Sequence, residues 1–190
     1  MSQVVANKDV SMETSKKVTG FDTKALVGAV ILGVVFVLVQ QIAHRIDAII
    51  NPASVIIGGV TWATFMGLVV LLFRQPAGII TAEIQAFIAL ATGLSPLAAF
   101  FIPANALGSL GYSLIAWKLP MDKWSHHVLA QIVTNVAGNI CVGIGLHVIL
   151  KLPMPVIIIS SCITTLAGII GGTILTKMIY ENVIKSGVLR

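Results

Sequence analysis

The sequence predicts an all-α integral membrane protein, a bundle of six transmembrane helices whose N- and C-termini both lie in the cytoplasm. Of its 190 residues, 57% are hydrophobic and only 10% are charged, and the mean hydropathy is +0.99. A soluble domain carries about 25% charged residues, so these few charges cannot cover a surface that faces water. Lipid is therefore the expected solvent, and in lipid the backbone polar groups must be satisfied within each segment, as they are in helices.

Blocks without charge divide the chain into the six segments. One span needs about 20 apolar residues, and a turn signal such as Gly93–Pro96 splits a block that is too long for one span. The segments are predicted at about 24–43, 53–73, 76–92, 97–117, 126–150 and 156–179. Residues 1–23 are predicted to form a polar cytoplasmic tail without the features of a secretory signal, 24–180 the transmembrane domain and 181–190 a second short cytoplasmic tail.

The distribution of Lys and Arg predicts the orientation. With the N-terminus inside, ten of the twelve basic residues fall on the inner side and only Arg45 and Lys151 on the outer side. The net charge of +5 therefore reflects segment ends and does not indicate nucleic-acid binding. The chain contains no phosphate loop, zinc spacing or acid–base pair, so neither an enzyme nor a metal or cofactor site is predicted.

Four polar residues inside the spans are candidates for a binding site. Glu83 is the only acidic residue within a span, and intramembrane ionisable groups usually mark a function. Asn105, Asn135 and Asn139 lie near mid-bundle, and the last two share one helix face because they are four residues apart. Their amides can bind polar atoms of a small ligand, or they can hold helices together, which is the structural alternative.

Three further residues are candidates at the outer half of the bundle. Trp62 lies inside the second segment, where its ring can stack on an aromatic ligand or fill the core. Gln40 and His44 lie at the outer end of the first segment and can line an external mouth, although solvation at the interface is the simpler explanation of both.

Small residues inside the spans indicate close helix packing. The chain has 17 glycines, many of them in the predicted spans. Small residues allow helix backbones to approach closely where no hydrophobic effect separates helix from lipid. Ala25 and Ala29, spaced by four at the inner end of the first segment, form such a surface and predict contact with a partner helix.

The stretch from Trp62 to Ala116 resembles the YkoE-type substrate-binding (S) subunits of energy-coupling-factor (ECF) vitamin transporters. The resemblance is carried by Phe73–Ile84, where a basic residue precedes Pro and a small residue, and Glu follows two turns later. The run Asn105–Ser109 and the C-terminal Ile170-Gly171-Gly172 and Ser186–Leu189 add to it. In length and helix count the similarity extends over most of the chain from Thr23 onward.

The resemblance implies a function and its partners. Such subunits are six-helix bundles in the prokaryotic cell membrane that capture a vitamin from outside and associate with a transmembrane coupling subunit and two cytoplasmic ATPases. The YkoE type is linked to thiamine or its hydroxymethylpyrimidine precursor, and Glu83 with Trp62 suits a cationic aromatic ligand. The family's docking pattern of small residues on the first helix is matched here by Ala25, Gly28, Ala29 and Gly33.

Two other functions remain open at this point. The alternative from a different class is a structural or assembly subunit of a larger membrane complex that has no ligand of its own. A stand-alone channel or membrane enzyme is less favoured, because the spans contain too few charges for an ion relay and no paired acid and base.

Overall fold

Six α-helices make up the computed structural model, which describes residues 23–50 and 55–187. The helices are α1 (Thr23–Ile50), α2 (Ile56–Phe73), α3 (Ala77–Ala91), α4 (Ala98–Lys118), α5 (Trp124–Val148) and α6 (Met154–Ser186). No strand occurs within the two described ranges, and the predicted all-α, six-helix membrane bundle is confirmed. The predicted N-terminal tail lies outside the described residues except for its last residue.

Backbone geometry explains where several helices end. Arg74, directly after α2, has a φ of 60°, and Gly93 and Gly187, just past α3 and α6, have φ values of 64° and 71°. A residue in this left-handed region cannot continue a right-handed helix, and glycine enters it without steric cost. At its other end α6 begins with Pro155 in the first turn, where a missing N–H leaves no bond unmade.

Two helices are longer than the hydropathy pattern predicts. α1 continues to Ile50 instead of ending near Ala43, and α6 continues to Ser186 instead of ending near residue 179. Hydropathy marks where the apolar run stops, whereas residues such as Gln, Arg and Lys continue a helix readily. The 33 residues of α6 span about 50 Å, more than the roughly 30 Å of a hydrocarbon core, so this helix extends beyond the bilayer.

The second helix occupies the centre of the bundle. α2 packs against each of the other five helices, which follow one another around it in the order α1, α3, α4, α5 and α6. Within the described residues α1 and α6 do not pack against each other, so α2 fills the space between them. Glycines allow α6 to approach closely, because a Cβ at Gly172 would lie only 2.6 Å from the Cβ of Ala63.

The outer surface is apolar, as lipid requires. Five of the helices are long and apolar enough to cross a membrane, and α3, with 15 residues, is a shorter apolar helix of about 22 Å. α3 packs between α1 and α4. Large apolar side chains are exposed along the whole of α1 and α6, for example Ile31, Leu38, Leu166 and Ile170. The chain is therefore a multi-pass membrane protein.

The connection between α1 and α2 is held by one carboxylate. Asp47 is buried near the end of α1, and its Oδ1 accepts hydrogen bonds from the backbone N–H groups of Ile56 (3.2 Å) and Ile57 (2.8 Å). Its Oδ2 accepts a third from the N–H of Gly58 at 2.7 Å. The first N–H groups of a helix have no intrahelical partner, and negative charge is favoured beside them. Asp47 thus caps α2 from the neighbouring helix.

Replacing Asp47 by Ala is expected to destabilise the bundle by about 2 kcal/mol, because three N–H groups at the start of α2 lose their acceptor. Thermal unfolding of the purified protein in detergent measures this as a lower midpoint. Asp47→Asn, which keeps one acceptor oxygen, should recover part of the loss. Asp122→Ala removes a mostly exposed aspartate at the opposite end of the bundle and is the matched control. Equal midpoints for Asp47→Ala and the control would contradict the capping role.

Candidate functional site

A cluster of polar side chains joins three helices in the outer half of the bundle, where outer denotes the end at which α1, α3 and α5 finish. The indole Nε1 of Trp62 donates a hydrogen bond to Oδ1 of Asn105 at 2.7 Å. The Nδ2 of Asn105 in turn donates to Oε1 of Gln85 at 2.8 Å and to the Ala82 carbonyl oxygen at 2.6 Å. Trp62 lies six residues into α2, about 9 Å from its outer end. The structure therefore brings two of the predicted site residues into direct contact.

Two glycines make room for the indole ring of Trp62. A Cβ at Gly138 on α5 would lie 2.5 Å from Cη2 of the ring, and one at Gly108 on α4 would lie 2.7 Å from the same atom. Real Cβ contacts are not this short, so only glycine fits at either position without moving the ring. The ring edge is thus enclosed by α4 and α5. It packs inside the bundle and does not offer its whole face to a ligand.

A second polar cluster connects α5 with α2 and α6. Gln131 is fully buried, and its Nε2 donates to the Ala63 carbonyl oxygen at 2.9 Å and to Oγ1 of Thr176 at 3.3 Å. Asn135, one turn further along α5, donates through Nδ2 to Oε1 of Gln131 at 3.1 Å. Its Oδ1 is buried, has no hydrogen-bond partner among the described residues, and lies directly against Gly168 of α6. Asn135 therefore serves helix packing and leaves one acceptor unused.

Asn139 continues the same face of α5 towards the outer end. Its Nδ2 donates to Oγ1 of Thr165 on α6 at 2.7 Å, and both side chains are only partly buried. The space around the next turn is looser, because a Cβ at Gly143 would meet nothing closer than Ile157 at 3.5 Å. Asn139 and Thr165 are thus more accessible than the buried amides of Gln85, Asn105, Gln131 and Asn135.

The interhelical polar side chains described so far are called the polar layer. Its members are Trp62, Gln85, Asn105, Gln131, Asn135, Asn139 and Thr165.

Gln40 and His44 lie at the outer end of α1, away from the polar layer. The Nε2 of Gln40 donates to the Gly58 carbonyl oxygen at 3.1 Å, and only 2% of Gln40 is exposed. A Cβ at Gly58 would lie 3.1 Å from the His44 ring, which is half-buried beside it. Both side chains therefore pack on the first turn of α2, and the Gln40 Oε1 is buried without a hydrogen-bond partner in the described part of the chain.

Glu83 lies on the other side of α3 from the polar layer. Gln85 faces Asn105, and a residue two positions away on a helix points about 160° from it. On the Glu83 side, Phe87 and Leu90 are exposed to the lipid surface. Both carboxyl oxygens of Glu83 are nevertheless buried, and neither has a hydrogen-bond partner among the described residues. The structure thus gives Glu83 no hydrogen bond to Trp62 or to the asparagines.

The small residues of α1 that predicted a docking surface mostly pack within the chain. Ala29 is fully buried, and its carbonyl oxygen accepts a hydrogen bond from Oγ1 of Thr81 at 2.9 Å. A Cβ at Gly33 would lie 2.8 Å from Ile84, and one at Gly28 would lie 2.6 Å from Phe73. These three positions face α3 and the inner end of α2, and Ala25 is partly exposed. The exposed face of α1 is formed by their larger neighbours, including Val27, Ile31 and Val34.

Sequence reasoning missed three members of the polar layer. Gln131 precedes Asn135 and Asn139 at the same spacing of four, so the periodicity of α5 alone was a sufficient signal for it. Gln85 shares a buried face of α3 with Gly78, Thr81 and Ala82. Thr165 carries no comparable signal, because Ser and Thr occur throughout α6 and only packing selects one of them.

The polar layer offers uncharged hydrogen-bonding groups. Its members are amides, a hydroxyl and an indole, and none of them carries a charge. Within the described residues no group of His, Cys, Asp or Glu is arranged to hold a metal ion. Several amides converging between membrane helices can orient a small polar molecule, or they can fix the helices themselves.

Comparison with known proteins gives one match. No family model matches the chain, and no curated protein matches it. The fold is similar to a crystal structure of an S-component of an ECF transporter, with a TM-score of 0.60, 18% sequence identity, and 90% of this chain and 89% of that chain covered. At this identity the similarity establishes the fold alone. It agrees with the class of subunit that the sequence resembles and does not address the YkoE type.

Adding a methyl group at Gly138 is expected to displace the indole of Trp62 and weaken its bond to Asn105. Gly138→Ala should destabilise the protein by about 1–3 kcal/mol, the usual cost of overpacking. In a chain with Trp117 and Trp124 replaced by Phe, the fluorescence maximum of Trp62 should also shift.

Gly143→Ala provides the matched control on the same helix, because its Cβ would meet only ordinary van der Waals contacts. The control should leave the emission maximum unchanged and should not lower the unfolding midpoint, because Ala is favoured over Gly inside a helix where its Cβ fits. If Gly138→Ala behaves like the control, the indole does not occupy the slot between Gly108 and Gly138.

Proposed function

We propose that this chain is the substrate-binding subunit of an ECF-type importer in a prokaryotic cell membrane. The observation that carries the proposal is a layer of uncharged hydrogen-bonding groups from five helices, in a bundle that shares the fold of an S-component. Trp62 lies about 9 Å below the outer end of α2 and Asn139 about 14 Å below that of α5, as a site filled from outside requires, and Gln131 lies deeper in the bundle. The chain binds and presents the ligand, and ATP hydrolysis takes place in other subunits.

The chemistry of the polar layer favours an uncharged ligand. Asn139 and Thr165 are partly exposed and offer amide and hydroxyl groups, and the edge of Trp62 lies nearby beside Gly138. Because Glu83 points away from this layer, it supplies no counter-charge there. Among the compounds linked to the YkoE type, the hydroxymethylpyrimidine precursor fits these groups better than thiamine, whose thiazolium carries a permanent charge. Gln40 and His44 lie nearer the outer end and contribute to closing the entrance.

The competing function is a structural subunit without a ligand. It is favoured by one observation: the side-chain amide groups of Asn105 and Gln131 donate their hydrogen bonds to partners within the chain. In an assembly subunit, polar groups act only to fix the helices. The two functions differ in whether a small molecule saturates the purified chain.

The expected site for the coupling subunit is the exposed face of α1. Val27, Ile31 and Val34 are exposed there at the spacing of one helix face, next to the partly exposed Ala25. Ala29 and Gly33 contribute indirectly, because they let α1 lie close to α3 and so set the position of this face.

Binding is tested with hydroxymethylpyrimidine and thiamine as probes, read by the fluorescence of Trp62 in a chain with Trp117 and Trp124 replaced by Phe. The pyrimidine should give a saturable change. Asn139→Ala should weaken its binding by roughly threefold to tenfold, the value of one hydrogen bond. Mass spectrometry of small molecules that co-purify with the chain extends the test to other vitamins.

Glu83→Gln distinguishes the ligand classes, because it removes an acidic group that lies outside the polar layer. Affinity for an uncharged ligand should not change, whereas loss of binding would show that a cation is bound near Glu83. If no vitamin saturates the signal and none co-purifies, the structural subunit is the correct function.

Docking is tested by co-purification of the chain with a co-expressed coupling subunit and its ATPases. Val27→Trp adds bulk to the exposed face of α1 and should reduce the recovery of the coupling subunit without changing ligand affinity. Ile170→Trp adds the same bulk to an exposed position of α6. Recovery that falls for Ile170→Trp but not for Val27→Trp would assign the docking face to α6.

A further inference from the structure

The loop between α4 and α5 presents two lysines flanked by two tryptophans. α4 ends with Trp117-Lys118 and α5 begins after Lys123 with Trp124, so four residues separate the two lysines. All four side chains are exposed, Trp117 by 83% and Trp124 by 51%. Neither lysine forms an ion pair with an acidic side chain in the described part of the chain. This end of the bundle is the one that the Lys and Arg distribution assigns to the cytoplasm.

The acidic groups nearby have closer partners, although the Asp122 carboxylate also attracts the adjacent Lys123. The Asp122 carboxylate lies 3.0 Å from Nδ1 of His126, and its backbone carbonyl accepts a hydrogen bond from Lys177 at 2.9 Å. Lys177 also forms an ion pair with Glu181 at 2.7 Å. Among described residues the inner end carries six basic residues against two acidic ones: Lys24, Arg74, Lys118, Lys123, Lys177 and Lys185 against Asp122 and Glu181. A net positive charge therefore remains at this end.

Lys177 also fixes the orientation of one tryptophan. Its Nζ lies 5.4 Å from the centroid of the Trp124 ring, a distance typical of a cation–π contact. Because Lys177 is 8% exposed and bonded to the Asp122 carbonyl oxygen, it holds the first turn of α5 against α6. The loop between α4 and α5 is thus anchored at Asp122, and the exposed part of Trp124 faces outward beside Lys123.

An apolar stripe leads from this loop into the bilayer. Leu107, Leu110, Leu114 and Trp117 are all exposed and repeat at three or four residues, which places them on one face of α4. Leu129 and Ile132 are exposed on the adjoining helix α5. Indole rings prefer the region of the lipid headgroups, and acyl chains pack on apolar faces of this kind.

We infer that Lys118 and Lys123 form a binding site for the headgroup of an anionic phospholipid, whose acyl chains lie along the exposed face of α4. A phosphodiester has the charge that complements the two unpaired ammonium groups, and the tryptophans mark the depth at which headgroups lie. The lipid site is separate from the polar layer, so its existence does not depend on the proposed transport function.

The test uses the full chain in a neutral detergent, titrated with phosphatidylglycerol or phosphatidylcholine and observed by native mass spectrometry. The variant Lys118→Gln with Lys123→Gln removes two charges from the loop. The variant Arg45→Gln with Lys151→Gln removes two exposed charges from the outer end and is the matched control. The wild type and the control should bind phosphatidylglycerol in preference to phosphatidylcholine. The loop variant should bind phosphatidylglycerol roughly tenfold more weakly than the wild type does.

Three results would overturn the inference. In the first, the two double variants lose phosphatidylglycerol equally, so that only total charge matters. In the second, the wild type binds both lipids alike. In the third, inorganic phosphate at the same concentration displaces the lipid, which would make the site a general anion site. If the loop variant does not fold, the single variants Lys118→Gln and Lys123→Gln answer the same question, each with a smaller effect.

Discussion

Hydrocarbon offers no hydrogen bonds, so the polar side chains inside this bundle depend on other groups of the same chain for partners, and many of these partners lie on a neighbouring helix. The central helix supplies three of the acceptors. The carbonyl oxygens of Gly58, Ala63 and Thr64 accept side-chain hydrogen bonds from Gln40 on α1, Gln131 on α5 and Thr176 on α6. Because these bonds converge on α2 from both sides, they position α1 and α6, which do not pack against each other.

The inner end of the bundle is organised in the same way, around a histidine. The Nε2 of His127 lies 2.9 Å from the Met121 carbonyl oxygen, which can only accept, so this nitrogen carries the proton. The Nδ1 of the neutral ring then accepts a hydrogen bond from the Tyr112 hydroxyl at 3.0 Å. Both rings are fully buried. They join α4 to α5 near the inner end of the bundle. These two helices are therefore held together there as well as around the Trp62 ring.

The same interactions limit what the outer site can be. Trp62 and Asn105 are held by helix contacts, and their positions depend on two glycines and on Gln85. Neither side chain is therefore free to change its orientation without moving the surrounding helices. The accessible polar groups are Asn139 and Thr165, between the outer halves of α5 and α6. A neutral, planar molecule with hydrogen-bonding groups suits such a surface, because no charge is left uncompensated when it is buried.

The spans and the class of fold were predictable from the sequence, because the energy of placing charge in lipid is so large that composition alone reveals it. Six apolar segments, their polar boundaries and the spacing of Asn135 and Asn139 on one helix face needed no tertiary information. Side-chain direction between helices did need it. Glu83 and Gln85 are two residues apart and equally polar, yet only Gln85 faces the polar layer. Ala29 and Gly33 suit an external partner as well as an internal one, and the packing of α3 on α1 decided between them. Helix contacts are governed by shape and by pairwise hydrogen bonds, which hydropathy does not encode.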